Sequence, residues 1–387
     1  MTSTRVGLLR WPAMRGGIAT LVFLLVAVGA GRADAGELRY DWRVEDGAEY
    51  DTNPARAERV SDVAAQPVAP ASSLVRMVAS GNLAAALGQR NQLALSAGFG
   101  GKWFTDNEAR AENVLVAQAS ASDSVSLSQR TQLALATAYY DVFQRRPTDL
   151  PDFRSTAPSL RLEQTLTTSM SVSLAAGYRW FRFKPDDAFS FTAPTAIVLF
   201  RHVLPDDLVA GNADWEWSAG GSIEARSFHG PACDANGCGD GAHMARHADR
   251  FWTGHAEFLR TGSWLFGGGA AVHVNQSNSY GESLIRGLFH ARTVISLPWQ
   301  FSLSLRGELV TTRYADALTF PQPVAGQPTA SIEDESRSTV RVELARVSDR
   351  HVEVGARYVY YTSAPTSSAV EFRRQTLLVY LAFLQEN

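Results

Sequence analysis

The sequence has 387 residues, which is long for one ordinary domain but suits one large β-barrel. Its formal net charge is only −3, so nothing in the composition favours nucleic acid as a partner. Lysine occurs only at Lys102 and Lys184, and every other basic residue is arginine. Arginine can hold phosphate or carboxylate through two hydrogen bonds, although a coding bias towards arginine is the simpler explanation of this composition.

The first 35 residues have the features of a secretory signal peptide. Arg5, Arg10 and Arg15 give a positively charged start, and the apolar run IATLVFLLVAVGAG that follows is too short to span a bilayer. Ala33 and Ala35 stand at the positions that a signal peptidase reads, so the sequence predicts an exported chain that begins after residue 35. The rest of the sequence has no other unbroken apolar run of helix-spanning length, so we expect any entry into a membrane to be as a barrel.

The stretch TSMSVSLAAGYRWFRF, residues 168–183, alternates without a break between an apolar and a polar or small face. Such alternation is typical of a β-strand. Similar stretches recur, and they predict sixteen strands at about 38–50, 73–87, 91–104, 113–127, 130–143, 158–168, 170–183, 190–203, 214–228, 250–262, 264–277, 283–297, 299–314, 337–347, 351–363 and 372–385. The fourth and eighth alternate poorly, and we expect β-bulges there. Fourteen or eighteen strands are also compatible with the pattern.

The predicted connections sort into two kinds that alternate along the chain. One set is mostly very short, and the other is longer and polar, as in 51–72, 229–249 and 315–336. The strands are also longer than the usual five or six residues of soluble proteins. Tyrosines and tryptophans lie near many strand ends, and they include Trp42, Trp217 and Tyr314. Short turns, long outer loops and aromatic girdles together predict an all-β, antiparallel up-and-down barrel in the outer membrane of a Gram-negative cell, formed by residues 36–387.

The segment GAEYDTNPAR, residues 47–56, places Tyr-Asp-x-Asn at the end of the first predicted strand. It resembles the N-terminus of porin-type outer-membrane β-barrels associated with bacterial exopolysaccharide gene clusters. The last strand, QTLLVYLAF, resembles the aromatic-rich signal read by the barrel-assembly machinery, with Leu377, Val379, Leu381 and Phe383 alternating. The resemblance implies that outer-membrane lipid and this machinery are partners, and that a polysaccharide or another polar solute is carried.

The phase of each strand predicts which charged side chains face the lumen. The predicted lumen-facing residues are Arg161, Arg179, Arg226, Arg286, Arg292, Arg306, Glu308, Arg341 and Arg357. Charges of both signs suit a water-filled pore. They either pair across strands and brace the wall, or they form a selectivity surface for a polar or anionic solute.

The segment Asn275-Gln276-Ser277-Asn278 resembles the His-x-Ser-Asn segment of outer-membrane phospholipases and lipid A deacylases. In those enzymes a histidine activates the serine. Here asparagine stands at the histidine position, and His273 comes two residues too early. The sequence therefore predicts no enzymatic activity, and a lipid-modifying barrel is only a third reading.

The fifth long loop holds the two cysteines of the sequence, Cys233 and Cys238, flanked by His229, His243 and His247. Because exported cysteine pairs usually oxidise, we predict a disulfide between them in preference to a zinc site, and no cofactor. The leading functional prediction is a porin-like outer-membrane channel for a polar solute. The alternative is a non-conducting surface barrel whose extracellular loops bind a partner.

Overall fold

A computed structural model describes residues 38–54, 59–60, 71–144, 152–204, 214–233, 245–280, 282–315, 337–349, 351–363, 370–371 and 373–386. The predicted signal peptide lies outside these residues. No helix in the described part of the chain is long and apolar enough to cross a membrane.

Sixteen long strands make up the fold. They are β1 Leu38–Asp51, β2 Ser72–Ala86, β3 Asn91–Phe104, β4 Val114–Ser126, β5 Thr131–Gln144, β6 Phe153–Thr165, β7 Met170–Phe183, β8 Phe191–Leu204, β9 Asp214–Pro231, β10 Arg246–Thr261, β11 Trp264–Ser277, β12 Leu284–Leu297, β13 Phe301–Tyr314, β14 Arg337–Asp349, β15 Val352–Ser363 and β16 Arg373–Glu386. Short 3-10 helices cover Ala109–Glu112, Asp187–Phe189 and Pro298–Gln300. Two further strands, Arg59–Val60 and Val370–Glu371, pair with each other in a separate small sheet.

Each long strand pairs antiparallel with its sequence neighbours, and β1 pairs with β16 to close the ring. The prediction of about sixteen strands in an up-and-down barrel is confirmed. Closure is what membrane insertion demands, because an open sheet edge would leave backbone groups without hydrogen-bond partners in lipid.

Some predicted strand details are wrong. β6 begins at Phe153, whereas the sequence predicted a start at about residue 158. Pro158 instead lies inside the strand, beside Thr137 of β5. The fourth and eighth strands pair in continuous register, whereas register shifts occur in the pairing of β9 with β10 and of β14 with β15. The poor alternation of β8 comes from apolar residues such as Ile197 on the inner face, where its register partner in β7 is Ala175.

The two faces of the strands differ sharply in chemistry. One face carries exposed large apolar side chains, such as Leu174 at 53% exposure, and the other carries the ion pairs. The apolar face is therefore the outer, lipid-facing surface, and the aromatic residues Trp42, Trp217 and Trp252 are exposed on it. Tyr314 departs from the predicted girdle, because its register partner Leu284 places it on the inner face with Arg286.

Asp46 interrupts the outer belt. It lies on the outer face of β1, four residues from the girdle residue Trp42 and four from Tyr50, which is about 13 Å along the strand in each direction. Its register partners are the apolar residues Leu381 and Met77. No hydrogen bond or ion pair joins Asp46 to another described residue. The belt beside the closing strand is consequently less apolar than the belt elsewhere.

Adjacent residues of β7 test the assignment of faces. Replacing Leu174 by Arg should lower the free energy of unfolding by about 2–4 kcal/mol if the side chain lies near the bilayer midplane. Replacing Ser173 by Arg should cost far less, because that side chain faces the inner wall, as its register partner Glu163 does. Reversible urea unfolding in lipid vesicles measures both values. Equal losses would contradict the assignment.

Candidate functional site: the inner wall

The strand register places the predicted lumen residues on the inner face of the barrel. Most of them have a polar partner there. These contacts are Arg179 with Glu224, Arg226 with Glu224, Arg286 with Thr312, Arg306 with Glu308, Arg341 with Glu343, and Arg357 with both Glu45 and Glu343. Arg161 and Arg292 make no ion pair with any residue that the structure describes. Both predicted behaviours, wall bracing and free positive charge, therefore occur side by side.

Wall bracing is strongest where the barrel closes. Arg357 of β15 reaches across β16 to Glu45 of β1, with Nη1 3.1 Å from Oε1, and its Nε donates to Glu343 of β14 at 2.8 Å. Arg43 of β1 reaches back to Glu353 of β15 at 2.9 Å. These pairs are partly or wholly buried. These ion pairs connect β1 with β15 across β16, and β15 with β14.

Tyr380 of β16 lies in the middle of this closure network. Its hydroxyl is 2.7 Å from Oε1 of both Glu343 and Glu353, so the single O–H proton is shared between two carboxylates. Its ring lies against Gly355 of β15, and its Cβ atom lies beside Gly47 of β1. A Cβ atom at Gly355 would collide with the ring, which explains why this strand position is glycine.

A second tie lies at the external end of the same seam. Asp51 is fully buried and accepts a hydrogen bond from Nε of Arg374 in β16 at 3.0 Å. The backbone N–H of Asn53 donates to Asp51 Oδ1 at 3.0 Å, and Asn53 Nδ2 donates to the carbonyl of Arg373 at 3.3 Å. The Tyr-Asp-x-Asn segment thus joins the end of β1 to the start of β16.

Three arginines of the inner wall form a row that we call the arginine row. They are Arg292 of β12, Arg306 of β13 and Arg341 of β14. Arg292 and Arg306 are register partners, and so are Arg306 and Arg341. Glu343 is hydrogen-bonded to Arg341, whereas Arg306 is 56% exposed with Glu308 at 3.6 Å. Like charges directly opposite each other on neighbouring strands are unfavourable in themselves. With Glu308 and Glu343 as their only ion-pair partners among the described residues, the three arginines outnumber the carboxylates paired with them.

In the folded barrel, Ser277 of the segment that resembles a lipase motif lies close to His247. Nε2 of His247 is 2.8 Å from Asp249 Oδ1 and 3.1 Å from Ser277 Oγ. A catalytic triad needs the acid and the serine on different ring nitrogens. Here both approach the same nitrogen, and the ring is stacked on Phe228 with centroids 3.9 Å apart. This geometry holds the imidazole in the wall and does not activate Ser277.

The cysteine loop is described only in part. Cys233 is disulfide-bonded, and its backbone N–H donates to Ser279 Oγ at 3.1 Å. Cys238 and His243 lie outside the described residues. His229 is 2.9 Å from Asp187, and this hydrogen bond lowers the pKa of Asp187. Within the described ranges no group of three metal-ligating side chains is found.

Four inner-face charges were missed from the sequence, and they are Arg201, Glu49, Lys102 and Arg76. Arg201 of β8 binds Glu216 of β9 through two hydrogen bonds of 2.7 Å. Glu49 of β1 accepts from Lys102 of β3 at 2.6 Å and from Arg76 of β2 at 3.3 Å. The period-2 alternation that identified the other lumen residues could have found Glu49, Lys102 and Arg76, whereas the poor alternation of β8 hides the face of Arg201.

The closed ring of sixteen strands, its apolar outer belt and its charged inner wall define an outer-membrane β-barrel of the porin type. No family model matches the chain, and no curated protein matches it.

Solved structures of similar fold include OpdQ of Pseudomonas aeruginosa, with 10% identity over 90% of this chain and 98% of that one and a TM-score of 0.47. They also include the outer membrane protein opdK of the same organism, with 11% identity over 91% and 99% and a TM-score of 0.45. OmpT of Vibrio cholerae shares 10% identity over 91% and 99%, with a TM-score of 0.46. At this level of likeness the function has to be argued from the chain's own residues.

Removing the central arginine of the closure network should be costly. Replacing Arg357, whose side chain is 8% exposed, by Met should lower the free energy of unfolding by about 3–5 kcal/mol, because Glu45 and Glu343 each lose a buried cation and keep only the more exposed Arg43 and Arg341. Replacing the exposed Arg306 by Met should cost less than about 1 kcal/mol. Urea unfolding in vesicles compares the two variants, and similar losses would show that the closure network is not a stabilising centre.

The predicted disulfide remains to be tested by mass spectrometry of unreduced, alkylated protein. Cys233 and Cys238 enclose only four residues, so a bridge between them should add modestly to stability. We expect a mass lower by about two hydrogens and no alkylation at either cysteine. Two free thiols together with one bound zinc per chain would instead make this loop a metal site.

Proposed function

We propose that this protein is an outer-membrane channel for polar solutes that carry negative charge. The observation that carries the proposal is the arginine row. Arg292 makes no ion pair with another described residue, and Arg306 is more than half exposed. Guanidinium groups bind carboxylate and phosphate oxygens through paired hydrogen bonds. A row of them on the wall of a pore lowers the energy of an anion that passes beside it.

The wall across the lumen supports an open passage. β5 and β13 are eight strands apart in a ring of sixteen, so they face each other. The inner faces of β4 and β5 carry small or neutral polar side chains, including Ser120, Ser122, Ser124 and Gln132. Barrels of this strand number enclose more space than side chains fill. The wall with the arginine row therefore carries charge, and the opposite wall of β4 and β5 has small side chains and hydroxyl groups that leave space for a solute.

An acidic saccharide is a solute of suitable chemistry. Its carboxylates match the arginine row, and its hydroxyl groups match the serine-rich wall. The resemblance of the Tyr50–Asn53 segment to barrels of exopolysaccharide gene clusters favours the same class. Export of a polysaccharide is the form of this proposal that the resemblance implies.

Replacing Arg292 and Arg306 together by Gln should shift ion preference towards cations, because fixed positive charge is removed from the lumen. Reversal potentials of the refolded protein in a planar bilayer with asymmetric KCl measure this shift. The matched control is Arg346→Gln, since Arg346 of β14 lies on the outer face over the ring of Phe301. Unchanged reversal potentials in the double variant would contradict a selectivity role for the row.

The same bilayer tests the solute class. An acidic oligosaccharide added to one side should interrupt the current of the unmodified protein more often than a neutral oligosaccharide of equal length. The double variant should lose this difference. A refolded barrel with no conductance would favour the alternative function, a surface barrel whose loops bind a partner.

A further inference from the structure

A cluster of cationic side chains lies outside the barrel, at its external rim. Arg154 near the start of β6 and Arg182 near the end of β7 are register partners. Both lie in phase with Trp180, which is 49% exposed on the lipid-facing side. This end of the strands leads into the long connection after β5. The cluster is therefore separate from the lumen and from the arginine row.

A buried carboxylate organises part of this cluster. Asp141 of β5 is fully buried beneath its partners. It accepts hydrogen bonds from Nε of Arg154 at 2.9 Å and from the hydroxyl of Tyr139 at 2.7 Å, and Nζ of Lys184 lies 2.7 Å from its other oxygen. The guanidinium of Arg154 is thus fixed in place, yet its side chain is 48% exposed.

Arg182 has no such partner. It makes no hydrogen bond or ion pair with any other described residue, although its charge contributes to the lowered pKa of Asp187, after the larger effect of the hydrogen bond from His229. The nearby Asp152 is engaged by Lys184 at 2.6 Å. Two arginines thus occupy register-partner positions on neighbouring strands, and an anion bound to both would offset the repulsion between their charges.

The position of the cluster relative to the bilayer indicates which anion it would bind. Tyr178 and Trp180 of β7 are exposed girdle residues, and such residues mark the level where acyl chains meet headgroups. Arg182 comes two residues after Trp180, which places it about 7 Å further out along the strand. The molecules that surround a barrel at this level are lipid headgroups. The anionic group in a phosphorylated headgroup is phosphate, which suits the planar guanidinium fork.

We propose that Arg154 and Arg182 form a binding site for the phosphate group of an outer-leaflet lipid. Asp141 positions Arg154, and Lys184 pairs with the carboxylates of Asp141 and Asp152 beside the site. Tyr139 and Trp180 contact the start of the acyl region below the phosphate. The site binds lipid on the outside of the barrel and does not depend on what the lumen carries.

Native mass spectrometry of the full-length barrel in detergent tests the site, with diphosphoryl lipid A as the probe. The unmodified protein should bind the probe more tightly than the same lipid without phosphates. Arg154→Gln combined with Arg182→Gln should weaken binding about tenfold or more, because charge-assisted hydrogen bonds are lost. Arg182→Gln alone should weaken it in the same direction. That single variant leaves the contacts of Asp141 intact, so it keeps the test valid if the double variant folds poorly.

The matched control is Arg260→Gln combined with Arg346→Gln. Both arginines lie on the outer face at the opposite end of the barrel, each over an aromatic ring. We expect lipid A binding by this control to equal that of the unmodified protein. Equal binding by the Arg182→Gln variant, equal binding of the dephosphorylated lipid, or an equal loss in the control would overturn the proposal. Complete displacement of lipid A by millimolar inorganic phosphate would show that free anion, and not lipid, is the ligand.

Discussion

The structure depends on the pairing of β1 with β16. Fifteen of the strand pairings join sequence neighbours, but this one joins the two ends of the barrel, and without it two edges would stand unpaired in lipid. The side chains reinforce the same seam. Arg357 and Arg43 pair with carboxylates across β16, and Asp51 binds Arg374 at the external end. The strongest ionic contacts of the wall are therefore placed where the chain cannot rely on a short turn to hold two strands together.

Alternation in the sequence was enough to predict the strands and their faces. Leu174 and Ser173 are neighbours on opposite faces because the side-chain period of a strand is two, and no tertiary information is needed to assign them. Alternation does not predict partners. Arg357 and Glu45 are 312 residues apart, and their contact depends on closure and on register across β16. The prediction of a β-bulge in β8 was wrong for a related reason. An apolar inner-face residue such as Ile197 disturbs the sequence pattern of a strand whose pairing is regular.

The candidate site shows the same division. The phase of each strand placed Arg292, Arg306 and Arg341 towards the lumen, but only the register reveals that they are cross-strand neighbours. The adjacency of these three arginines is the feature that favours a selectivity surface over a set of ion pairs that only stabilise the wall. Arg341 and Glu343 neutralise each other, while Arg292 and Arg306 remain available to a solute. Whether a charge braces or selects thus depends on the carboxylates near it. Some are on its own strand, as Glu343 is for Arg341, and others are on another strand, as Glu224 of β9 is for Arg179 of β7. A single sequence specifies only the first kind.

The cost of a charged side chain on the outer face depends on its depth in the bilayer. A cation near the interface costs about 0–1 kcal/mol, against about 2–4 kcal/mol at the midplane, so Arg154 and Arg182 are tolerated at the external rim. Asp46 lies between the two girdles, on β1, next to the inward-facing Glu45. The first strand is therefore polar on both faces at this level. Lipid contributes less there to holding β1 against β16, and the seam relies correspondingly more on the buried pair of Arg357 with Glu45 and on the hydrogen bond from Arg374 to Asp51.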